Sequence, residues 1–186
     1  MSPILGGGSG GAGGGLSAIF DSTLGSDTAS LDTGAAGIGA GHKDLIVLLF
    51  IRATDAATTV NLKLNANNDA GANYDWSLVR NDGTNAANGA SAVSATAAVV
   101  GQVTAANATA NVAGAVTIFI PAYDSTTFFK AGTGTCGPTP TTASTQEAMA
   151  VHFTWLSTAA ITRLAVASAS GGNLKTGSRM VIYGTA

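Results

Sequence analysis

The run Asp44-Leu-Ile-Val-Leu-Leu-Phe-Ile-Arg52 is unbroken apolar sequence between charged ends. Its length suits a strand buried on both faces or a short buried helix, and periodicity alone does not separate the two. The next segment decides it. In Thr59-Val-Asn-Leu-Lys-Leu-Asn65, Val60, Leu62 and Leu64 alternate with Thr59, Asn61, Lys63 and Asn65, which is the period of a half-buried strand. Between the two lies Ala53-Thr-Asp-Ala-Ala-Thr58, a polar connection of hairpin length. A central strand paired with an amphipathic neighbour follows. Later segments repeat the alternation, so the pair reads as the seed of an all-β domain.

The chain has 186 residues, enough for one substantial core, and a single domain is the default. Charged residues make up 10% of it, where about a quarter is usual. Disorder needs high net charge and few apolar residues, so this is not its profile. No apolar run approaches the roughly 20 residues of a membrane-spanning helix. No basic region and apolar core precede the first glycines, so neither a membrane partner nor a conventional signal peptide is expected. A net charge of −2 argues against a phosphate-gripping surface, and hence against nucleic acid as a partner. Sparse charge also carries a positive implication. Charged side chains keep monomers apart and are depleted where interfaces close, so such a chain suits packing against copies of itself or a larger shell.

Residues 6–15, Gly-Gly-Gly-Ser-Gly-Gly-Ala-Gly-Gly-Gly, have the composition of a flexible linker. A phosphate-loop reading fails for want of a preceding strand and a Gly-Lys-Ser/Thr ending. Leu16-Ser-Ala-Ile-Phe20 is a short apolar patch, followed by Asp21, Asp27, Asp32 and a second glycine-rich stretch over 34–41. Residues 1–41 are therefore expected to form an extended arm, with the sandwich domain over 42–186. Leu16, Ile19 and Phe20 are its expected anchors, docking either on the chain's own sheet or on a neighbouring subunit. On this reading, deleting residues 1–40 leaves a folded domain.

Strand signals continue with turns between them. Tyr74, Trp76 and Leu78 alternate with Asp75, Ser77 and Val79, and Asn81-Asp-Gly83 is a tight-turn signature. An Ala/Val/Thr run over 91–103 reads as one strand. Val116, Ile118 and Ile120 share a face ahead of Pro121, which removes a donor. A short aromatic strand is expected over 126–130, then a long loop over 131–145. Met149, Val151, Phe153 and Trp155 form one face of a strand, and shorter alternations follow at Thr162, Leu164, Val166 and at Met180, Ile182. Roughly eight or nine short strands without a convincing helix predict an antiparallel two-sheet sandwich. Jelly-roll connectivity is the expected topology.

No catalytic constellation emerges, and no cofactor is expected. His42 lies in the glycine-rich lead-in and His152 on the polar side of its strand, with no nucleophile elbow in the chain. Glu147 is the sole Glu, which leaves little for a paired-carboxylate mechanism. Cys136 is the single cysteine. It excludes an intrachain disulfide and is expected as a loop thiol. The one metal candidate is Asn65-Ala-Asn67-Asn-Asp69-Ala-Gly71-Ala-Asn73-Tyr-Asp75, with oxygen side chains at alternate positions. Its glycine is misplaced for an EF-hand and the distal Glu is missing, so Asn65, Asn68, Asp69, Gly71, Asn73, Tyr74 and Asp75 are read as a structural loop of Asx-turns and no metal is expected. Asn107-Ala-Thr109 matches a glycosylation acceptor, relevant only in a eukaryotic secretory setting.

Several of these residues, in this order, resemble a loose group of tailed-bacteriophage virion structural proteins. They are the strand ending in Arg52, Asn65 with Asn68-Asp69-x-Gly71-x-Asn73-Tyr74-Asp75, Ile120-Pro121-x-Tyr123 with Lys130, Trp155 before Ala160-Ile161-Thr162, and a closing Gly172-Asn173-Leu174, Gly177-Ser178 and Tyr183-Gly184. The resemblance spans about residues 42–184 and rests on turn and strand-end residues. It implies a non-enzymatic β-sandwich, often a homotrimer, located in the virion and bound to the major capsid protein or to tail proteins. Capsid decoration on the head surface is the preferred role. A tail-fibre, baseplate or receptor-binding module that meets host glycans through its Asn-rich loops is the alternative.

Overall fold

A computed structural model of the chain describes residues 15–35, 37–81, 87–138 and 147–186. Among them are twelve strands and no helix. The strands are β1 (Leu16–Thr23), β2 (Ser30–Asp32), β3 (Asp44–Ile51), β4 (Thr59–Ala66), β5 (Tyr74–Asn81), β6 (Ala87–Ala95), β7 (Ala98–Thr104), β8 (Gly114–Pro121), β9 (Lys130–Gly137), β10 (Ala148–Trp155), β11 (Leu164–Ser168) and β12 (Arg179–Thr185). An eight-stranded sheet runs β1-β12-β3-β8-β9-β10-β5-β6, and a four-stranded sheet runs β2-β11-β4-β7. All pairings within both sheets are antiparallel. This is the expected two-sheet sandwich. The strand order does not establish the expected jelly-roll connectivity.

The core follows from alternation. Leu45, Val47, Leu49 and Ile51 of β3 point inward, as do Val60, Leu62 and Leu64 of β4, Val116, Ile118 and Ile120 of β8, and Val151, Phe153 and Trp155 of β10. Each fully buried side chain of this size stabilises the fold by about 1.5–3 kcal/mol. The strand β7 is buried along its whole length, because it lies across β8, β9 and β10 of the larger sheet. Glycines make room for that close approach. A Cβ on Gly132 would fall 2.4 Å from the Phe153 ring, and one on Gly134 would fall 3.1 Å from the Val100 carbonyl oxygen. Gly132→Ala is expected to cost about 2 kcal/mol, since a well-packed ring must shift. A urea denaturation midpoint equal to that of the unsubstituted chain would refute the close packing.

Four expectations need correction. The described residues 16–35 and 37–41 are not a flexible arm but part of the sandwich, so the domain boundary moves from 42 to the start of β1. β1 pairs with β12 from Leu16↔Thr185 to Thr23↔Arg179, and β2 pairs with β11. Leu31 and Ile38 are each only 2% exposed. The aspartates that looked like linker polarity are ties. Asp21 accepts from Arg179 Nε at 2.8 Å, Asp27 from Thr176 N at 2.8 Å, and Asp32 from Arg163 Nε at 2.9 Å. The expected arm before Gly15 lies outside the described residues.

The second correction concerns the run over 91–103, which is divided between β6 and β7. Third, the aromatic segment 126–129 is a loop, and the strand begins at Lys130 and continues to Gly137, where a loop was expected from Ala131. The alternating Gly-Thr pattern of β9 imitates turn sequence because its inward positions must be small. Fourth, Cys136 is not a loop thiol. It is buried in β9, where the Gln102 N–H donates to its sulfur at 3.2 Å, and burial raises its pKa.

Candidate assembly surface

The inward half of β3 fills the core, which leaves the other half to explain. Ile46, Leu48 and Phe50 point away from the smaller sheet, and Leu48 is 39% and Phe50 56% exposed. The register extends this stripe sideways. Ile46 faces Phe119 on β8 and Tyr183 on β12, and Leu48 faces Val181. Phe119 is 41% exposed, and Leu16 at the start of β1 is 59% exposed. Farther across the same face stand Thr133 and Thr135 of β9, Ala150 and His152 of β10, and Ser77 and Val79 of β5. None of these outer-face positions is an Asp, Glu, Lys or Arg.

Charges occupy the margins. Arg179 and Asp21 form an ion pair at 2.6 Å at one corner. Asp44, at the opposite end of β3, accepts from the Ala122 N–H and the Thr185 hydroxyl, both at 3.1 Å. Asp75 accepts from the Ser94 N–H at 2.8 Å. A neutral field with paired charges at its rim is the anatomy of a protein interface. With strands about 4.8 Å apart and about 3.3 Å per residue, the sheet face spans roughly 800–1,000 Å², close to the roughly 800 Å² per partner of a standard interface.

The expected anchors divide. Ile19 and Phe20 are partly buried and pack against this chain's own core, whereas Leu16 lies on the exposed face. A β-bulge between Ala18 and Phe20 separates the two orientations.

The loop between β4 and β5 is a hydrogen-bonded hub centred on Asp69. Its carboxylate accepts from Trp155 Nε1 at 2.7 Å, Asn73 Nδ2 at 2.9 Å and the Gly71 N–H at 2.8 Å. These donors, Trp155 first, hold its pKa below the usual carboxylate range. Asn65 Nδ2 donates to the Asp69 and Thr96 carbonyls. The Tyr74 hydroxyl accepts from the Ala66 N–H at 3.0 Å, and burial raises its pKa. Asn67 and Asn68 adopt φ of 52° and 58°, a region Asn tolerates better than most residues. The structure thus gathers Asn65, Asp69, Gly71, Asn73 and Tyr74, with Asn68 in the turn, while Asp75 ties β5 to β6. The long-range contacts of two residues escaped the sequence reading. Trp155 arrives from β10, and Asn67 receives the Thr162 and Arg163 N–H groups while donating to the Ala160 carbonyl. Both contacts are long-range, so local spacing could not signal them. N–H donors surround the Asp69 carboxylate and tie the loop to β10.

Elsewhere, a cleft of about 410 Å³ is lined by Phe50, Arg52, Ala108, Val112, Lys175 and Ser178 among others. The Arg52 guanidinium is engaged by the carbonyls of Thr109, Val112 and Ala108 at 2.8, 2.6 and 2.9 Å. Lys130 is buried, donating to the Phe128 and Thr158 carbonyls, and burial lowers its pKa. The His42 ring occupies the space beside Gly184 where a side chain would stand. His152 is exposed on the outer face, and Glu147 immediately precedes β10. Among the described residues, no three His, Cys, Asp or Glu side chains gather into a group able to hold a metal ion. Comparisons with protein-family models, with curated proteins and with solved structures find no match.

Proposed function

We propose that the chain is a non-catalytic structural subunit of a tailed-bacteriophage virion, a capsid decoration protein that lays the outer face of its eight-stranded sheet against the head shell. The observation that carries this reading is the outer side of β3. Its sequence has the apolar density of a strand covered on both faces, and in the single chain one of those faces is bare. Burying Leu48, Phe50 and Phe119 against a partner would stabilise association by about 25 cal/mol for each Å² of apolar surface removed from water, and the neutral centre leaves no charge to desolvate there. The turn and strand-end residues that resemble those of phage virion proteins support the same setting. The major capsid protein is the proposed partner.

Particle imaging at side-chain resolution tests it. The expected result is hundreds of copies per head, with Phe50 and Leu48 at the contact. Phe50→Glu is expected to reduce head occupancy at least about tenfold while leaving the free protein folded, because the position is a solvent-facing one in the single chain. Mounted subunits whose outer face still meets solvent would refute the proposal. A few copies located on the tail would favour a receptor-binding module.

A further inference from the structure

The two sheets end in four edge strands, and three of them are protected. β2 has only three residues. β7 is buried from end to end. β1 is interrupted by its bulge and carries Asp21 in an ion pair with Arg179. Short length, cover, bulges and charge are the usual devices against unwanted strand pairing. The fourth edge, β6, has few of them. It is nine residues long, Ala87-Asn-Gly-Ala-Ser-Ala-Val-Ser-Ala95, without a charge or a proline. Its pairing with β5 runs regularly from Asn81↔Ala87 to Trp76↔Ala92, and the irregularity comes only beyond that. From Gly89 to Ala92, β5 lies on one side and, among the described residues, no strand on the other.

The β5–β6 hairpin is also the least covered part of the larger sheet. Val79 is 52% and Val93 78% exposed, and Trp76, Leu78 and Ala95 are only partly buried. A two-stranded hairpin at the margin of a core is marginal on its own, and a third strand beside it adds both main-chain hydrogen bonds and cover.

We propose that β6 is a strand-addition edge whose occupant is β6 of a second copy of this chain, paired antiparallel about a twofold axis. Charge selects this partner. A twofold axis through a charged strand brings each charge close to its own copy, and like charges placed opposite are destabilising. An uncharged Ala/Ser/Gly strand meets itself without that penalty, and its small side chains clash in no register. The net charge of −2 opposes association of two copies only weakly. The inference goes beyond the proposed function, because it uses a different surface and does not require the outer face to bind anything.

Sedimentation of the full chain across a concentration series, combined with hydrogen exchange, tests it. The expected particle has twice the 18.1 kDa mass of the chain, with amide exchange over 87–92 slowed roughly tenfold or more in the dimer. Ser91→Lys is expected to weaken dimerisation at least about tenfold, and mixing Ser91→Lys with Ser91→Asp is expected to restore it as a heterodimer. A merely structural effect of either substitution would not be rescued by mixing. The inference is overturned by a monomer at every concentration, by three times the chain mass, or by a dimer that Ser91→Lys leaves unchanged. A dimer with protection at 44–51 in place of 87–92 overturns it while supporting the outer face as a contact surface. Loss of head occupancy by Phe50→Glu speaks only to the outer face, so the two failures are distinguishable.

Discussion

Deletion of residues 1–40 removes the cooperative unfolding transition. The segment carries β1 and β2, so its loss strips the partner strands from β12 and β11. It also takes Leu31 and Ile38, each 2% exposed, and the partly buried Ile19, Phe20 and Leu24. Two fully buried aliphatic side chains contribute about 1.5–3 kcal/mol each, and the three partly buried ones add a fraction of that apiece. The Tyr123 hydroxyl loses the Gly39 carbonyl at 2.6 Å, and Arg163 loses Asp32. The total is on the order of 8 kcal/mol, comparable with the entire 5–15 kcal/mol margin of a domain. The single substitution Leu31→Ala is expected to cost about 3 kcal/mol. Circular dichroism through a thermal ramp reads both. A truncated chain that melts like the full one would mean that these strands are passengers.

Asp69→Ala is expected to destabilise the fold by about 3 kcal/mol. Trp155 is 3% exposed, so removing the carboxylate leaves its indole N–H without the 2.7 Å acceptor. An unsatisfied buried donor costs about 1–3 kcal/mol, and the lost bonds from Asn73 and Gly71 add about 1 kcal/mol each before local relaxation. Trp155 reports its own environment, and its fluorescence should shift as the indole loses this partner.

The same carboxylate sets a pH dependence. Its folded pKa is depressed by Trp155, Asn73 and Gly71, below the ordinary Asp value of about 3.9. The stabilisation is therefore complete above that ordinary value and disappears as pH falls through the lower folded one. Asp69→Asn should flatten the acid limb of the stability curve. It will not abolish that limb, because Arg179, Thr176 and Arg163 hold Asp21, Asp27 and Asp32 down in the same direction. An acid limb unchanged by Asp69→Asn would show that the hub does not bind the carboxylate form preferentially.

Where side chains alternate cleanly, the architecture was readable in advance. β4, β8 and β10 occupy the segments their apolar periods mark. The failures have separate causes, each of which removes the period from the sequence. β9 hides because Gly132 and Gly134 sit where a larger residue would strike Phe153 or the Val100 backbone. β2 is three residues long, too short to display alternation. β1 reads as linker because its bulge breaks the period between Ala18 and Phe20. The candidate surface was half legible. The apolar density of β3 announced two covered faces, but which partners lie beside it on the bare side depends on pairings with β8 and β12 that no local window contains. The Asp69 turn was visible as an Asx pattern, whereas its anchoring to Trp155 joins residues far apart in the chain.

The position of β12 between β1 and β3 governs how the protein is made. Leu16 waits for Thr185, and Leu45 waits for Gly184, so β1 and β3 are completed by a strand made more than a hundred residues later. At about 5–20 residues per second, β3 stays half-paired for on the order of ten seconds while the remainder is synthesised. Its apolar flank is open to other nascent chains throughout that interval. The sandwich is therefore expected to close only once β12 has emerged, and yield in the cell should depend more on holdase chaperones and growth temperature than on the stability of the finished fold.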